Sequence, residues 1–128
     1  MSRSGERPGA ERGVATVLSL AMVIALVTVA AVGMLGMTFA ATARSVRAAA
    51  DLVAISGAQA QAKGSDACEE ARRIAARNDV EVSGCEVTDD LIDFVVEVNV
   101  RRTVGIRLPG LPERVAAVAY AGNVAGVP

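Results

Sequence analysis

The chain has 128 residues and a formal net charge of −1, with 13 lysines and arginines against 14 aspartates and glutamates. It contains no histidine, no tryptophan, one tyrosine and two phenylalanines. Without histidine the chain lacks the commonest general base and the commonest ligand of transition metals, and its balanced charge offers no basic surface for nucleic acid. We therefore expect no enzyme, no cofactor or metal, and no nucleic-acid partner.

Residues 1–13 are polar and contain glycine and proline, which is typical of a short disordered leader. The segment that follows, residues 14–43, has no charged side chain. As a helix it would be about 45 Å long, against a bilayer hydrocarbon core of roughly 30 Å. Its valine, isoleucine, leucine and phenylalanine side chains together favour insertion by about 5 kcal/mol. The segment is predicted to be a transmembrane helix.

A cleavable signal peptide is the alternative, because Ala41-Thr42-Ala43 before Arg44 has the small-x-small form of a cleavage site. The apolar run is about twice as long as the usual signal-peptide core, which favours a retained anchor. The positive charges flanking the run are nearly balanced, so they do not decide which way the helix points.

Residues 44–64 remain rich in alanine and free of proline, which predicts that the helix continues as a stalk to about Lys63. Side chains recur along it at helical spacing at Ala48, Leu52, Ile55 and Gln59. Gly57 should weaken this helix by about 1 kcal/mol, and Gly64 is expected to end it.

A second, short helix is predicted to begin at the N-cap Asp66 and to close at Asn78. Acidic side chains occupy its first turn and arginines its end, as the helix dipole favours. Its apolar stripe is formed by Cys68, Ala71, Ile74 and Ala75.

From Val80 the apolar period changes to two, which predicts strands. A first strand is interrupted at Gly84 and turns at Asp89-Asp90, and a second places Ile92, Phe94, Val96, Val98 and Val100 on one face. After the breaker sequence 109–112, residues 114–121 are predicted to return as a third strand.

These elements predict an α+β chain in which a transmembrane helix continues as a stalk, followed by a short helix on an antiparallel sheet of about three strands. The expected divisions are a cytoplasmic leader (1–13), the transmembrane helix (14–43), the stalk (44–64), an extracytoplasmic head (65–122) and a tail (123–128).

Two cysteines, Cys68 and Cys85, can be compared with this geometry. The predicted helix from Cys68 advances about 15 Å and the strand from Val80 returns about 16 Å, which would bring the two side chains together. A disulfide is the favoured interpretation; two free thiols and a metal site are the alternatives, although two thiols are few ligands for a metal. A disulfide would place the head in an oxidising compartment outside the membrane and the amino terminus in the cytoplasm.

The carboxylates of Glu86, Asp89, Asp90 and Asp93 are close in sequence, and several carboxylates together are the ligands that calcium prefers. Their spacing matches no EF-hand loop, and a turn with an outward strand face accounts for all four. We therefore predict no metal site.

Two segments resemble the TadE/TadG-like pilus-assembly proteins, which belong to the Flp or tight-adherence systems. They are Arg12-Gly13-Val14-Ala15-Thr16-Val17, opening the apolar run, and Arg47-Ala-Ala-Ala-Asp51-Leu-Val-Ala-Ile-Ser-Gly57-Ala58 after it. The cysteine pair and the small β head look closest to the TadE-like proteins of helicase and secretion gene neighbourhoods in high-GC bacteria.

The resemblance implies a pilin-like fold and a minor pilin or pseudopilin in a type IV-related pilus or secretion apparatus. Its implied partners are the membrane, other pilin-like subunits, the Tad-type secretion machinery and a prepilin peptidase that cuts between Gly13 and Val14. Pilin-like substrates usually carry glutamate five residues into the mature chain, where this sequence has Leu18. The alternative function is a bitopic envelope accessory or binding protein that enters no filament.

Overall fold

The computed structural model describes residues 8–90, 93–105 and 107–123. The described residues form an α+β fold of two helices and one antiparallel sheet. In chain order its elements are α1 (Pro8–Ala62), α2 (Ala67–Arg77), β1 (Glu81–Asp90), β2 (Asp93–Thr103) and β3 (Arg114–Asn123).

Helix α1 begins earlier than the sequence analysis expected. Residues 8–13 were assigned to a disordered leader, but the structure makes them helical from Pro8 onward. Proline suits the first position of a helix, because its fixed φ is already helical and its missing N–H would have no partner there. The earlier part of the leader lies outside the described residues.

Gly64 ends α1 as predicted. Its φ of 76° is the left-handed conformation that glycine adopts without steric cost. The N–H of Ser65 donates to the carbonyl of Ala60 and the N–H of Gly64 to the carbonyl of Gln61, both at 2.9 Å. This is a Schellman motif, which satisfies carbonyls that the helix end would otherwise leave without partners.

The chain divides into two compact units, one ending at Thr38 and the other beginning at Phe39. The first contains the apolar part of α1. The second, here called the head, contains the rest of α1, helix α2 and the sheet.

Within the head, α1 packs through its small residues. Its buried stripe follows helical spacing and consists of Val46, Ala49, Ala50, Val53, Ala54, Gly57 and Ala58. The side marked by Ala48, Leu52, Ile55 and Gln59 is the exposed one, with Leu52 47% and Ile55 50% exposed. The small side faces the core because small side chains let a helix approach its neighbours closely.

Gly57 shows how close that approach is. A Cβ added there would lie 3.1 Å from the carbonyl oxygen of Ala67 in α2 and 3.4 Å from Cγ1 of Val96 in β2. The predicted weak point is therefore a contact position, where the absence of a side chain allows α1, α2 and the sheet to meet.

Helix α2 has the predicted ends. The Asp66 carboxylate accepts a hydrogen bond from the N–H of Glu69 at 2.8 Å, and Asn78 is the C-cap. Asp79 follows in a left-handed conformation with φ 54°, and the N–H of Val80 then donates to the carbonyl of Ala75 at 3.1 Å. Ala67, Ala71 and Ala75 form the buried side of the helix.

The three strands pair in the order β1-β2-β3, antiparallel throughout. The predicted interruption at Gly84 is a register shift between Val82 and Gly84. The predicted turn at Asp89-Asp90 is wrong, because these residues continue β1 and pair with Phe94 and Asp93. Cross-strand pairing includes both aspartates and ends at Asp90, and Ile92 lies outside the described residues.

The third strand is two residues longer than predicted. It is preceded by a turn in which the N–H of Leu111 donates to the carbonyl of Leu108 at 3.2 Å, with Gly110 at φ 87°. Proline followed by a glycine of positive φ is the pattern of a type II turn.

The core lies between the sheet and the two helices. Val96, Val98 and Val100 of β2 are fully buried against the small face of α1. Among the described residues, every buried member of this core cluster is alanine or valine.

Candidate functional site

The apolar part of α1 is the first candidate, because no other described residue of its unit packs over it. Apart from the half-buried Leu35, its large apolar side chains from Val14 to Met37 are between 56% and 76% exposed. One helix of the described residues is long and apolar enough to cross a membrane, with a mean hydropathy of 2.6 in its most apolar window. The finding is consistent with a single-pass membrane anchor near the amino terminus.

Hydroxyl groups within this segment are satisfied by the helix itself. Ser19 donates to the carbonyl of Ala15 at 2.8 Å, and Thr28 donates to that of Ile24 at 2.8 Å. Thr38 donates in the same way to Met34 at 2.9 Å. Because hydrocarbon offers no hydrogen-bond partners, such internal bonds make polar side chains compatible with a bilayer.

The residues of the suggested cleavage position lie on this exposed helix. A Cβ added at Gly13 would meet no atom within 4 Å, and Val14 and Leu18 are each 69% exposed. Leu18 places an apolar side chain where pilin-like substrates usually carry glutamate.

The two cysteines form a disulfide between α2 and β1. Their Cα atoms are 5.8 Å apart, and the bridge closes a sequence separation of 17 residues. Cys68 lies one residue after the start of α2, and Cys85 lies on the core side of β1. Because β1 runs back along α2 over a similar length, the two cysteines lie side by side. Of the three arrangements considered for these cysteines, this is the one in the structure.

Arg102 connects three elements of the head. Its Nη2 donates to the carbonyl of Asn78 at 2.5 Å, its Nε donates to the carbonyl of Asp79 at 2.9 Å, and its Nη1 donates to Oγ of Ser45 at 2.9 Å. The first two carbonyls belong to the end of α2, where the helix dipole favours a cation. The guanidinium therefore joins β2, the carboxyl end of α2 and the second turn of α1 within the head.

Sequence reasoning missed this role of Arg102. The available signal was its position two residues after Val100, on the side of β2 that faces the core. An arginine in that register, at the end of an apolar strand face, needs carbonyl partners, and the end of α2 supplies them.

Neither of the two described helices lies over the opposite face of the sheet. Its exposed apolar side chains are Val95 at 37%, Val118 at 43% and Tyr120 at 65%. Near one end of this face, Arg101 forms a cross-strand ion pair with Glu81 at 2.9 Å. The hydrogen bond and the charge of Arg101 hold the pKa of the Glu81 carboxyl below its usual value.

The acidic residues considered for calcium do not converge. Glu86 is exposed on β1, the Asp89 carboxylate accepts from Nε2 of Gln61 at 3.4 Å, and Asp90 pairs in the ladder with Asp93. Among the described residues, no group of three acidic or cysteine side chains is placed to hold a metal ion.

Comparison of the chain with family models, with curated proteins and with solved structures finds no match.

Proposed function

We propose that this chain is a membrane-anchored, TadE-like minor pilin or pseudopilin, a structural component of a type IV-related pilus or secretion apparatus. The single observation that carries the proposal is the division of α1. One helix is uncovered and apolar in its first unit and then packs its small face against the sheet of the head. Such a helix can serve both as a membrane anchor and as the backbone of a small α+β head.

The proposed topology has the amino terminus in the cytoplasm and the head outside. The disulfide supports this orientation, because disulfides persist mainly in oxidising extracytoplasmic compartments. The partners in this proposal are the membrane, other pilin-like subunits or a Tad-type secretion machinery, and a prepilin peptidase acting between Gly13 and Val14.

Mass spectrometry of the amino terminus of the membrane-purified protein tests this function. The experiment compares protein from cells that contain a prepilin peptidase with protein from cells that lack it. The proposal predicts that Val14 is the mature terminus only when the peptidase is present. An intact leader in both preparations would favour the alternative, and a terminus at Arg44 would show that the apolar segment is a removed signal peptide.

The alternative function, a bitopic envelope accessory protein that enters no filament, is favoured by one specific observation. Leu18 is apolar and exposed, so it cannot supply the charge that a pilin-like glutamate would bring. Site-specific crosslinking from position 18 distinguishes the two functions. Crosslinks to a second pilin-like helix support assembly, whereas crosslinks only to lipid, with an uncut leader, support the accessory role.

A further inference from the structure

The loop between β2 and β3 lies at the end of the head where the apolar sequence ends. Arg102, one residue before the end of β2, contacts Ser45 in the first turns of α1 within the head. Ala43 and Arg47 line a shallow groove with residues 116–118 of β3. At the opposite end of β2, Phe94 lines a groove with Ile55, Ala58 and Ala62. Strand β2 therefore runs antiparallel to α1 within the head, and the β2–β3 loop that follows it begins near Ala43.

This loop displays two leucines. Leu108 and Leu111 are the first and fourth residues of the type II turn, and they are 42% and 38% exposed. The first and last Cα atoms of such a turn are less than about 7 Å apart, so the two side chains form one small apolar patch. A single exposed leucine is common on protein surfaces. Here two exposed leucines lie at the ends of one turn whose conformation Pro109 and Gly110 restrict.

Charge at this end of the head is mainly positive. Exposed arginines occupy positions 44, 47, 107 and 114, on the first turns of α1 within the head, on the loop and on the start of β3. The described acidic side chains here are Asp79, Glu113 and Glu81, with Asp51 one helical turn beyond Arg47, and Glu81 is already paired with Arg101. The far end carries the carboxylates of Asp89, Asp90 and Asp93.

We propose that residues 107–113, the described part of the β2–β3 loop that precedes β3, are a second membrane contact, in which Leu108 and Leu111 enter the headgroup region of an anionic phospholipid surface. Arg107, Arg114, Arg44 and Arg47 face the lipid phosphates around them. The inference rests on the proposed anchoring of α1, because chain connectivity places the bilayer surface near Ala43. Charge complementarity identifies the occupant, since two apolar side chains flanked by Arg107 and Arg114 match anionic lipid and the acidic far end of the head does not.

The absence of tryptophan from the sequence makes the contact directly measurable. Full-length Leu108→Trp and Leu111→Trp proteins are reconstituted into vesicles of phosphatidylglycerol and phosphatidylcholine with brominated acyl chains, which quench nearby indole rings. We expect quenching of about twofold for both variants, as for an interfacial side chain. The matched control, Lys63→Trp, places the reporter at the far end of α1 in the head and should show almost none.

Quenching of the loop variants no greater than that of Lys63→Trp would overturn the proposal. Flotation of the same samples separates this result from failure of the anchor: protein that floats with the vesicles but is not quenched refutes the loop contact alone. Protein that does not float refutes the anchoring on which the inference rests.

A further variant tests the contribution of the arginines to lipid binding. Arg107→Glu and Arg114→Glu, added to Leu108→Trp, should remove most of the quenching in anionic vesicles while leaving the disulfide and the far-ultraviolet spectrum unchanged. Unchanged quenching in this triple variant, or equal quenching of Leu108→Trp in vesicles of phosphatidylcholine alone, would overturn the assignment of an anionic surface.

Discussion

Arg102 is the residue whose removal should reveal most about how the head is held together. Its three hydrogen bonds join α1, α2 and β2, and two of them go to carbonyls at a helix end. Arg102→Ala leaves these acceptors without their cation, so we expect the free energy of unfolding to fall by about 2–3 kcal/mol. Urea denaturation of the detergent-solubilised protein, followed by circular dichroism, measures the change.

Arg101→Ala is the matched control for this prediction. Arg101 lies next in sequence but on the other face of β2, in an exposed ion pair with Glu81. Exposed pairs of this kind contribute about 0–1 kcal/mol, so this variant should remain close to the parent protein. Equal losses for the two variants would show that the contacts of Arg102 are not special.

Gly122 lies where the sheet leaves no room for a side chain. A Cβ there would overlap the carbonyl oxygen of Phe94 and lie 2.9 Å from the Cα of Val95. Because both are backbone atoms, Gly122→Ala must displace the end of β3, and we expect a loss of about 2–3 kcal/mol in the free energy of unfolding.

Gly105→Ala provides the comparison for Gly122, because a Cβ at Gly105 would meet no atom within 4 Å. The same denaturation experiment should show this second variant to be unchanged or slightly more stable, since alanine restricts the unfolded chain. A stable Gly122→Ala protein would contradict the close approach of β2 and β3 at this pair.

At the scale of elements, the disulfide couples α2 to the edge strand β1. Replacing both cysteines by alanine should lower the free energy of unfolding by about 3 kcal/mol, because the bridge closes a loop in the unfolded chain. The measurement is thermal denaturation with and without dithiothreitol. The parent should lose stability on reduction, whereas the double variant should not respond. A parent that is insensitive to reductant would argue against a bridge that stabilises the head.

The elements could be predicted well from sequence where a local signal fixes them. Asp66 caps α2 and Gly64 ends α1, because one side chain or one backbone conformation determines each boundary. The prediction of a turn at Asp89-Asp90 is wrong. Aspartate favours turns locally, but here both residues pair with the neighbouring strand of the hairpin. Local composition cannot show how far a ladder of strand pairs extends.

The buried side of α1 was harder to predict for a physical reason. Both sides of the helix carry apolar residues, and the larger ones, Leu52 and Ile55, lie on the exposed side. Size favours burial in general, but contact with the sheet selects the side on which Gly57 and the alanines allow a close approach. The cysteine pair followed from element lengths, whereas Arg102 and the β2–β3 loop required knowledge of which strand end meets which helix end.

At the scale of the whole molecule, membrane attachment should depend on the first part of α1. An arginine near the centre of a membrane helix costs about 2.5–3.5 kcal/mol, so Leu26→Arg with Val27→Arg should offset the roughly 5 kcal/mol that favours insertion. We expect this double variant to be released from membranes by alkaline carbonate, whereas the parent stays in the pellet.

Leu52→Arg with Ile55→Arg is the control for the insertion experiment. It adds the same two charges to the same helix, at half-exposed positions of the head. This protein should remain in the carbonate pellet. Release of both double variants would mean that added charge alone, rather than its position in the apolar segment, detaches the protein.

The interior of alanine and valine has a consequence for the entropy of folding. Burial of alanine freezes no side-chain rotamer, and valine has little rotational freedom to lose, whereas a buried leucine or methionine loses about 0.5–2 kcal/mol. The head can therefore order its core at almost no side-chain entropy cost, which helps so small a domain to fold. Among the described residues, the buried cluster contains no long, flexible side chain that can move aside for an added methylene group. Substitutions there are expected to be tolerated mainly within the set of glycine, alanine and valine.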